Sequence, residues 1–429
     1  MYDFANSPFP TTINAVLFNV YFIKVIVGEG GAVIFGVTIP ASSLWTYIVA
    51  LSTGLVFFTA PVLGAIADYT GTKKRFLFVY CYAGCLFTGL LFLATEGHYI
   101  YGAICYMLAN YAFAGSYAFY NAFLPDISTE KNIGRVSGFG WGLGFLGGAL
   151  VLATSLLILK RPDFFAIPNA FHLPERVVFL LVSLWWAVFS IITFTYLKPR
   201  AAKPQYTRVE NYVTLGIRRL VKTLSIVRRH REMFKYLAAY FTYSLGLETI
   251  MVLGAVIGSE LLNITPPEMI LAFLVGQFIA VAGSMVMGSL ADRFGNKPII
   301  LATLAAWIVV TVWAFFMDSK AEFWTIGAIL AFILAGTQSA SRSLFGLFTP
   351  PGNAAEFFGI YVLIGRVGAF IGPITFGITV QFFSHAPVAG IEPLRIALLL
   401  LAAFFAAGMA LVWMVNESRG IEESTMPVE

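Results

Sequence analysis

Apolar residues in this chain follow neither a two-residue nor a 3.6-residue alternation; they come in long, nearly unbroken runs. A helix that crosses a bilayer needs about 20 such residues, and that ruler predicts twelve spans. They run from Ala5 to Val27, Ser42 to Ala67, Phe76 to Ala94, Tyr99 to Phe123, Val136 to Leu159 and Val177 to Leu197. After a polar interval come Lys235 to Leu262, Met269 to Ala291, Pro298 to Phe316, Phe323 to Phe348, Phe358 to Phe383 and Ile396 to Val415. The expected organisation is a six-helix bundle over 1–197, a basic cytoplasmic linker over 198–234, a second six-helix bundle over 235–416 and a cytoplasmic tail over 417–429. No positively charged segment precedes the first span, so it reads as a helix and not as a cleaved signal.

Composition agrees. Of 429 residues, 59% are hydrophobic and 11% charged, against about 25% charged in soluble domains. A soluble enzyme, a disordered scaffold and a disulfide-stapled secreted domain are excluded. The net charge of +5 matters less than its placement. With both termini in the cytoplasm, nineteen of the 27 Lys and Arg fall in inner loops and tail, and five in outer loops. The positive-inside rule therefore orients the bundle. The linker contains an amphipathic stretch, Val213 to Val227, with Arg218, Arg219 and Lys222, expected to lie on anionic lipid headgroups. No nucleic-acid partner is expected.

Two loops repeat. Gly64, Ala67, Asp68, Gly71 and Lys73 reappear as Gly288, Ala291, Asp292, Gly295 and Lys297 at one constant offset, after the second and eighth spans. Arg293 accompanies the second copy. Parallel repeats of this kind build secondary transporters with a substrate site between the halves. The expected fold class is thus an all-α membrane protein of twelve transmembrane helices in two pseudo-symmetric six-helix bundles. Gly64 and Gly288 permit close helix approach. Asp68 and Asp292 suit an ion pair or a helix N-terminus, and Gly71 and Gly295 suit a tight turn.

The pattern Gly-x-x-x-Asp-Arg/Lys-x-Gly-x-Lys/Arg resembles the signature loop of the major facilitator superfamily. The first copy departs at Tyr69, where that family has a basic residue. A narrower resemblance lies in Tyr2-Asp3-Phe4-Ala5-Asn6-Ser7, in Tyr120-Asn121-Ala122-Phe123-Leu124-Pro125 and in Ser137 to Gly148. These look like the autophagy-related vacuolar amino-acid effluxers and their bacterial relatives. That resemblance implies a monomeric transporter of the bacterial plasma membrane, exporting amino acids or related metabolites by alternating access. It also implies that the first, fourth, seventh and tenth spans line the cavity.

Polar residues on those spans are the candidate substrate and coupling groups. They are Asn14 and Tyr21, seven apart on the first span; Asn110, Tyr117 and Asn121 on the fourth; Tyr240, Ser244 and Glu248 on the seventh; and Gln338 and Arg342 on the tenth. Ionisable groups inside a membrane are costly and mark function. Glu248 reads as a proton-coupling carboxylate or the partner of a substrate amine, against a structural pair with a neighbouring arginine. Arg342 reads as the partner of a substrate carboxylate or of Glu248. Asp3 is expected to cap a helix or pair in a loop, and Arg366 to snorkel or pair with Glu356. Gly142-x-Gly144-x-x-Gly147 is formally a dinucleotide fingerprint, but it lacks the preceding strand; Gly140, Gly144 and Gly148 read instead as a smooth helix face. No cofactor or metal is expected, and no phosphate-binding Gly-Lys-Ser/Thr loop occurs, which argues against an ATP-driven pump. The alternatives are an exporter of amphipathic drugs, siderophores or lipids, and a sealed receptor with Glu248 and Arg342 permanently paired.

Overall fold

Where a run of apolar residues is long enough, helix is the one local structure that satisfies every backbone group inside lipid. The computed structural model describes residues 1–198, 223, 225, 227–385, 388 and 390–425. Its long helices are α1 (Tyr2–Val27), α2 (Ala41–Thr70), α3 (Lys73–Leu93), α4 (Tyr99–Asn121), α5 (Ile133–Lys160) and α6 (Leu173–Tyr196). The second half holds α7 (Arg231–Leu262), α8 (Pro266–Phe294), α9 (Asn296–Phe315), α10 (Lys320–Phe348), α11 (Ala354–His385), α12 (Pro393–Trp413) and a short α13 (Glu417–Ser424). Among the described residues, eleven helices are long and apolar enough to cross a membrane. The twelfth, α4, is long enough but carries Asn110, Ser116, Asn121 and six tyrosines.

Element ends follow local chemistry. Gly71 and Gly295, both at positive φ, stop α2 and α8, as the repeated motif implied. Reciprocal capping boxes start α8 at Thr265 and Glu268 and α10 at Ser319 and Glu322. Other features were not anticipated. Residues 32–39 form a hairpin, β1 (Ala32–Ile34) and β2 (Val37–Ile39), turned by Phe35 and Gly36 at positive φ. The C-terminal residues expected as a tail form α13, which packs Gly420 against Phe348. Most of the amphipathic linker stretch, including Arg218, Arg219 and Lys222, lies outside the described residues; Thr223 donates a hydrogen bond to the Glu356 carboxylate of α11.

Most of α1 is wound in wide i→i+5 turns over Phe9–Leu17 and Phe22–Val27. These turns hold more residues than an α-turn, so seven residues fall well short of two turns. Asn14 and Tyr21 therefore leave the shared face that α-helical spacing predicts. Tyr21 packs on Phe179 and donates to the Ala94 carbonyl within the first half.

Glycines set how the halves meet. A Cβ at Gly134 or Gly138 of α5 would collide with the α8 backbone at Gly288 and Ser284, and one at Gly64 of α2 with Ala355 of α11. Gly140, Gly144 and Gly148, by contrast, mostly face α1 (Asp3, Ser7 and Thr11). We expect Gly138→Val to lower the thermal midpoint by an amount equivalent to about 1–3 kcal/mol, the usual cost of overpacking. Gly327→Val, where a Cβ meets nothing within 4 Å, serves as the control in the same melt.

Candidate functional site

The two repeated loops lie at one end of the molecule, called here the loop end. Each sends its aspartate across to the other half. Asp292, at the end of α8, accepts from the backbone N–H groups of Gly134 (2.7 Å) and Arg135 (3.0 Å) at the start of α5. Asp68, at the end of α2, accepts from the Glu356 N–H (2.8 Å) at the start of α11. Helix N-termini present unsatisfied N–H groups and a positive dipole end, so each carboxylate is a cross-half cap. The lysines of the repeat play different parts. Lys73 pairs with Asp126 at 2.8 Å within the first half, whereas Lys297 donates to the Trp413 carbonyl of α12. Arg293 is exposed beside Phe294.

Deeper from the same end sits a buried polar cluster that joins four helices. Arg342 of α10 donates through Nε to Ser137 Oγ (3.0 Å) and through Nη2 to the Ser137 carbonyl (2.8 Å). Its Nη1 donates to Asn121 Oδ1 (3.2 Å) and to Asp3 Oδ2 (3.4 Å). Tyr120 OH donates to the same Asp3 oxygen at 2.6 Å. Asp3 and Arg342 are 2% and 3% exposed, so this ion pair is desolvated. The guanidinium also lies over the rings of Tyr120 and Trp141. Nearby, Ser137 donates to the Ser339 carbonyl and Ser343 to the Ile133 carbonyl.

Every hydrogen bond between the halves, among the described residues, belongs to these caps or this cluster. Side-chain polar contacts thus close the loop end and leave the opposite end unjoined.

The structure corrects three expectations here. Asp3 does not cap its own helix; it is the counter-ion of Arg342. Arg366 does not pair with Glu356, because ten residues along α11 span about 15 Å, beyond the reach of the two side chains. Nor does Arg342 meet Glu248, so the arrangement proposed for a sealed receptor is not present.

Glu248 lies half-buried at the middle of α7. It forms no hydrogen bond or ion pair among the described residues, and neither does Arg366 of α11. Arg366 stands on α11, the helix packed against α7. The two helices are in close contact: a Cβ at Gly365 would lie 2.9 Å from Tyr240 OH, and one at Gly368 would collide with Ser244 Oγ. Tyr240 stacks on Tyr361 at 4.2 Å, and Ser244 donates to the Phe241 carbonyl. From the other half, the buried Tyr117 hydroxyl has no hydrogen-bond partner among the described residues, and its ring packs on Tyr120 and Trp141 beside the Asp3–Arg342 pair. Asn14 donates to Asn110 (3.3 Å) and Asn110 to Ser52 (2.7 Å), tying α1, α4 and α2. Among the described residues, Gln338 makes only a 4.0 Å contact to the Met251 sulfur.

The predicted residues therefore divide. Asn121 and Arg342 join the loop-end cluster. Tyr117 packs beside that cluster on Tyr120 and Trp141, Tyr240, Ser244 and Glu248 lie on α7 where it meets α11, and Asn14 with Asn110 forms a separate tie. Tyr21 belongs to none of these groups. Asp3, Tyr120, Ser137 and Arg366 are the additions.

This architecture fits a known family. The family model described as "Vacuole effluxer Atg22 like" matches residues 28–425. The chain belongs to this family. A similar relative is the "Uncharacterized MFS-type transporter YxiO" of Bacillus subtilis, 29% identical over 391 residues, 91% of this chain and 89% of the relative. Autophagy-related protein 22 of Pyricularia oryzae is 21% identical over 90% of this chain and 67% of its own length. Among solved structures, the proton:xylose symporter XylE superposes with a TM-score of 0.72 at 12% identity, covering 99% of this chain and 95% of the other. FucP in its outward conformation gives 0.70 at 13% identity, with 97% of each chain covered. The Atg22-like chain thus has the major facilitator fold, with about twelve helices. It is a multi-pass membrane transporter of small-molecule solutes and not an enzyme.

Proposed function

We propose that this transporter exports a zwitterionic solute, an amino acid or a related metabolite, from the cytoplasm in exchange for protons. It would do so as a monomer in a bacterial plasma membrane. The loop end faces the cytoplasm, in line with the placement of Lys and Arg. One observation carries the reading: a carboxylate, Glu248, and a guanidinium, Arg366, stand on adjacent helices inside the bundle, each without an ion pair among the described residues. Two separated opposite charges in a low-dielectric site match the ammonium and carboxylate of a zwitterion. Charged groups held in a membrane are functional by default.

The chemistry also supplies coupling. A proton and a substrate ammonium compete for the Glu248 carboxylate, so protonation from the outside releases the solute. Arg366 replaces Arg342 as the proposed partner of the substrate carboxylate, because Arg342 is already committed to Asp3, Asn121 and Ser137. Tyr240 and Ser244 border the same region.

Counterflow in proteoliposomes tests the reading, with a labelled amino-acid mixture as probe. We expect free amino acids to compete for uptake while their N-acetyl and carboxamide derivatives do not. Arg366→Ala should raise the half-saturation concentration about tenfold or more, since hydrogen bonds to charged groups are worth about 1.5–3 kcal/mol. Equal competition by the blocked derivatives would overturn the zwitterion reading.

A further inference from the structure

A cavity of about 330 Å³ opens at the loop end beside the Asp3–Arg342 cluster. Its polar lining includes Arg135, Asn121, Tyr120 and Arg342, and its apolar lining includes Ile127, Phe139 and Leu143. Three features decide what it can hold. First, the Arg135 side chain is exposed and has no ion pair among the described residues. Second, Asn121 is 1% exposed, and its Nδ2 donor has no hydrogen-bond partner, while its Oδ1 is taken by Arg342. Buried donors are normally satisfied, so this one awaits an acceptor. Third, Ile127 and Phe139 are half-exposed and Phe139 belongs to a membrane-crossing helix, so the cavity has an open apolar flank. No carboxylate lines it.

We propose that this cavity binds the anionic headgroup of a phospholipid from the leaflet at the loop end. The phosphate oxygens take the Arg135 guanidinium and the Asn121 amide, and an acyl chain runs along Ile127 and Phe139. Basic pockets between helices suit anionic headgroups, and the apolar flank distinguishes a lipid from a free anion. The site is linked to the closed end by construction. Arg135 offers its backbone N–H to Asp292, and Arg342 supplies the one contribution to the wall from the second half. Separating the halves removes that wall, so an occupying lipid binds the closed form better and shifts the population toward it.

Native mass spectrometry of the full chain, released from nanodiscs of phosphatidylcholine with and without phosphatidylglycerol, tests the site. We expect retention of phosphatidylglycerol over phosphatidylcholine. Arg135→Gln should lower that retention about fivefold, Arg135→Lys should preserve it, and Leu143→Trp should abolish it by filling the cavity. Thermal melts of each variant identify any that fails to fold, and the Lys variant then carries the comparison with wild type. Equal retention of both lipids, or retention unchanged in both Arg135→Gln and Leu143→Trp, overturns the proposal. So does stabilisation by glycerol phosphate alone as strong as that by phosphatidylglycerol, which would assign the cavity to a soluble phosphate.

Discussion

Glu248→Gln is expected to abolish the dependence of transport on a pH gradient while leaving the protein folded. Glutamine keeps the volume and the hydrogen-bonding capacity of the side chain but can neither carry a proton nor balance an ammonium. Nothing in the described structure leans on this carboxylate, since it accepts no hydrogen bond and forms no ion pair there; the substitution removes function without removing a contact. Wild-type efflux in proteoliposomes should rise when the outside is made acidic, as protons displace the solute from Glu248. In the variant, efflux should become flat with pH and the half-saturation concentration should rise by about tenfold or more. A variant that keeps the full stimulation by the gradient would remove Glu248 from the coupling step.

Arg342→Ala should act on state and stability together. The guanidinium is buried, bonded to Ser137, Asn121 and Asp3, and its loss leaves the Asp3 carboxylate desolvated with only Tyr120 to serve it. Breaking one partner of a buried pair costs about 3–5 kcal/mol, whereas removing both is far milder. We therefore expect Arg342→Ala to lower the thermal midpoint sharply and Asp3→Asn with Arg342→Gln to recover much of the loss. Because the pair spans the halves, the single variant should also populate the form open at the loop end, and net transport should fall by at least tenfold. Equal melting of the single and double variants would show that the pair does not stabilise the closed end.

The parts of this architecture that are legible in sequence are those written locally. A membrane span is a contiguous run, so all twelve lie within a few residues of their expected limits. The repeated Gly-Asp-Gly-Lys loops are contiguous too, and their glycines sit at the turns they imply. What the sequence alone does not disclose is what the aspartates face. Asp68 and Asp292 meet helix starts in the opposite half, more than 150 positions away, and no local spacing encodes that. Asp3 and Arg342 are 339 positions apart; the one signal in the chain is that each is an ionisable residue near the end of a span, in need of a counter-charge. Tyr21 was misplaced because periodicity arguments assume α-helical turns, and α1 is wound more widely. Arg366 has a nearby acid in sequence, Glu356, but it lies too far along the same helix, and sequence spacing does not show that α11 packs against α7, which carries Glu248.

In this structure the loop end is the closed end, and we expect the Asp3–Arg342 pair to hold it closed. Distances between spin labels at both ends test it most directly. One pair, Lys131→Cys with Arg293→Cys, reports the loop end; the other, Phe35→Cys with Glu260→Cys, reports the opposite end. The loop-end distance should be short and the opposite-end distance long in wild type, with the first lengthening and the second shortening in Arg342→Ala. Distance distributions unchanged by Arg342→Ala at both ends would contradict it.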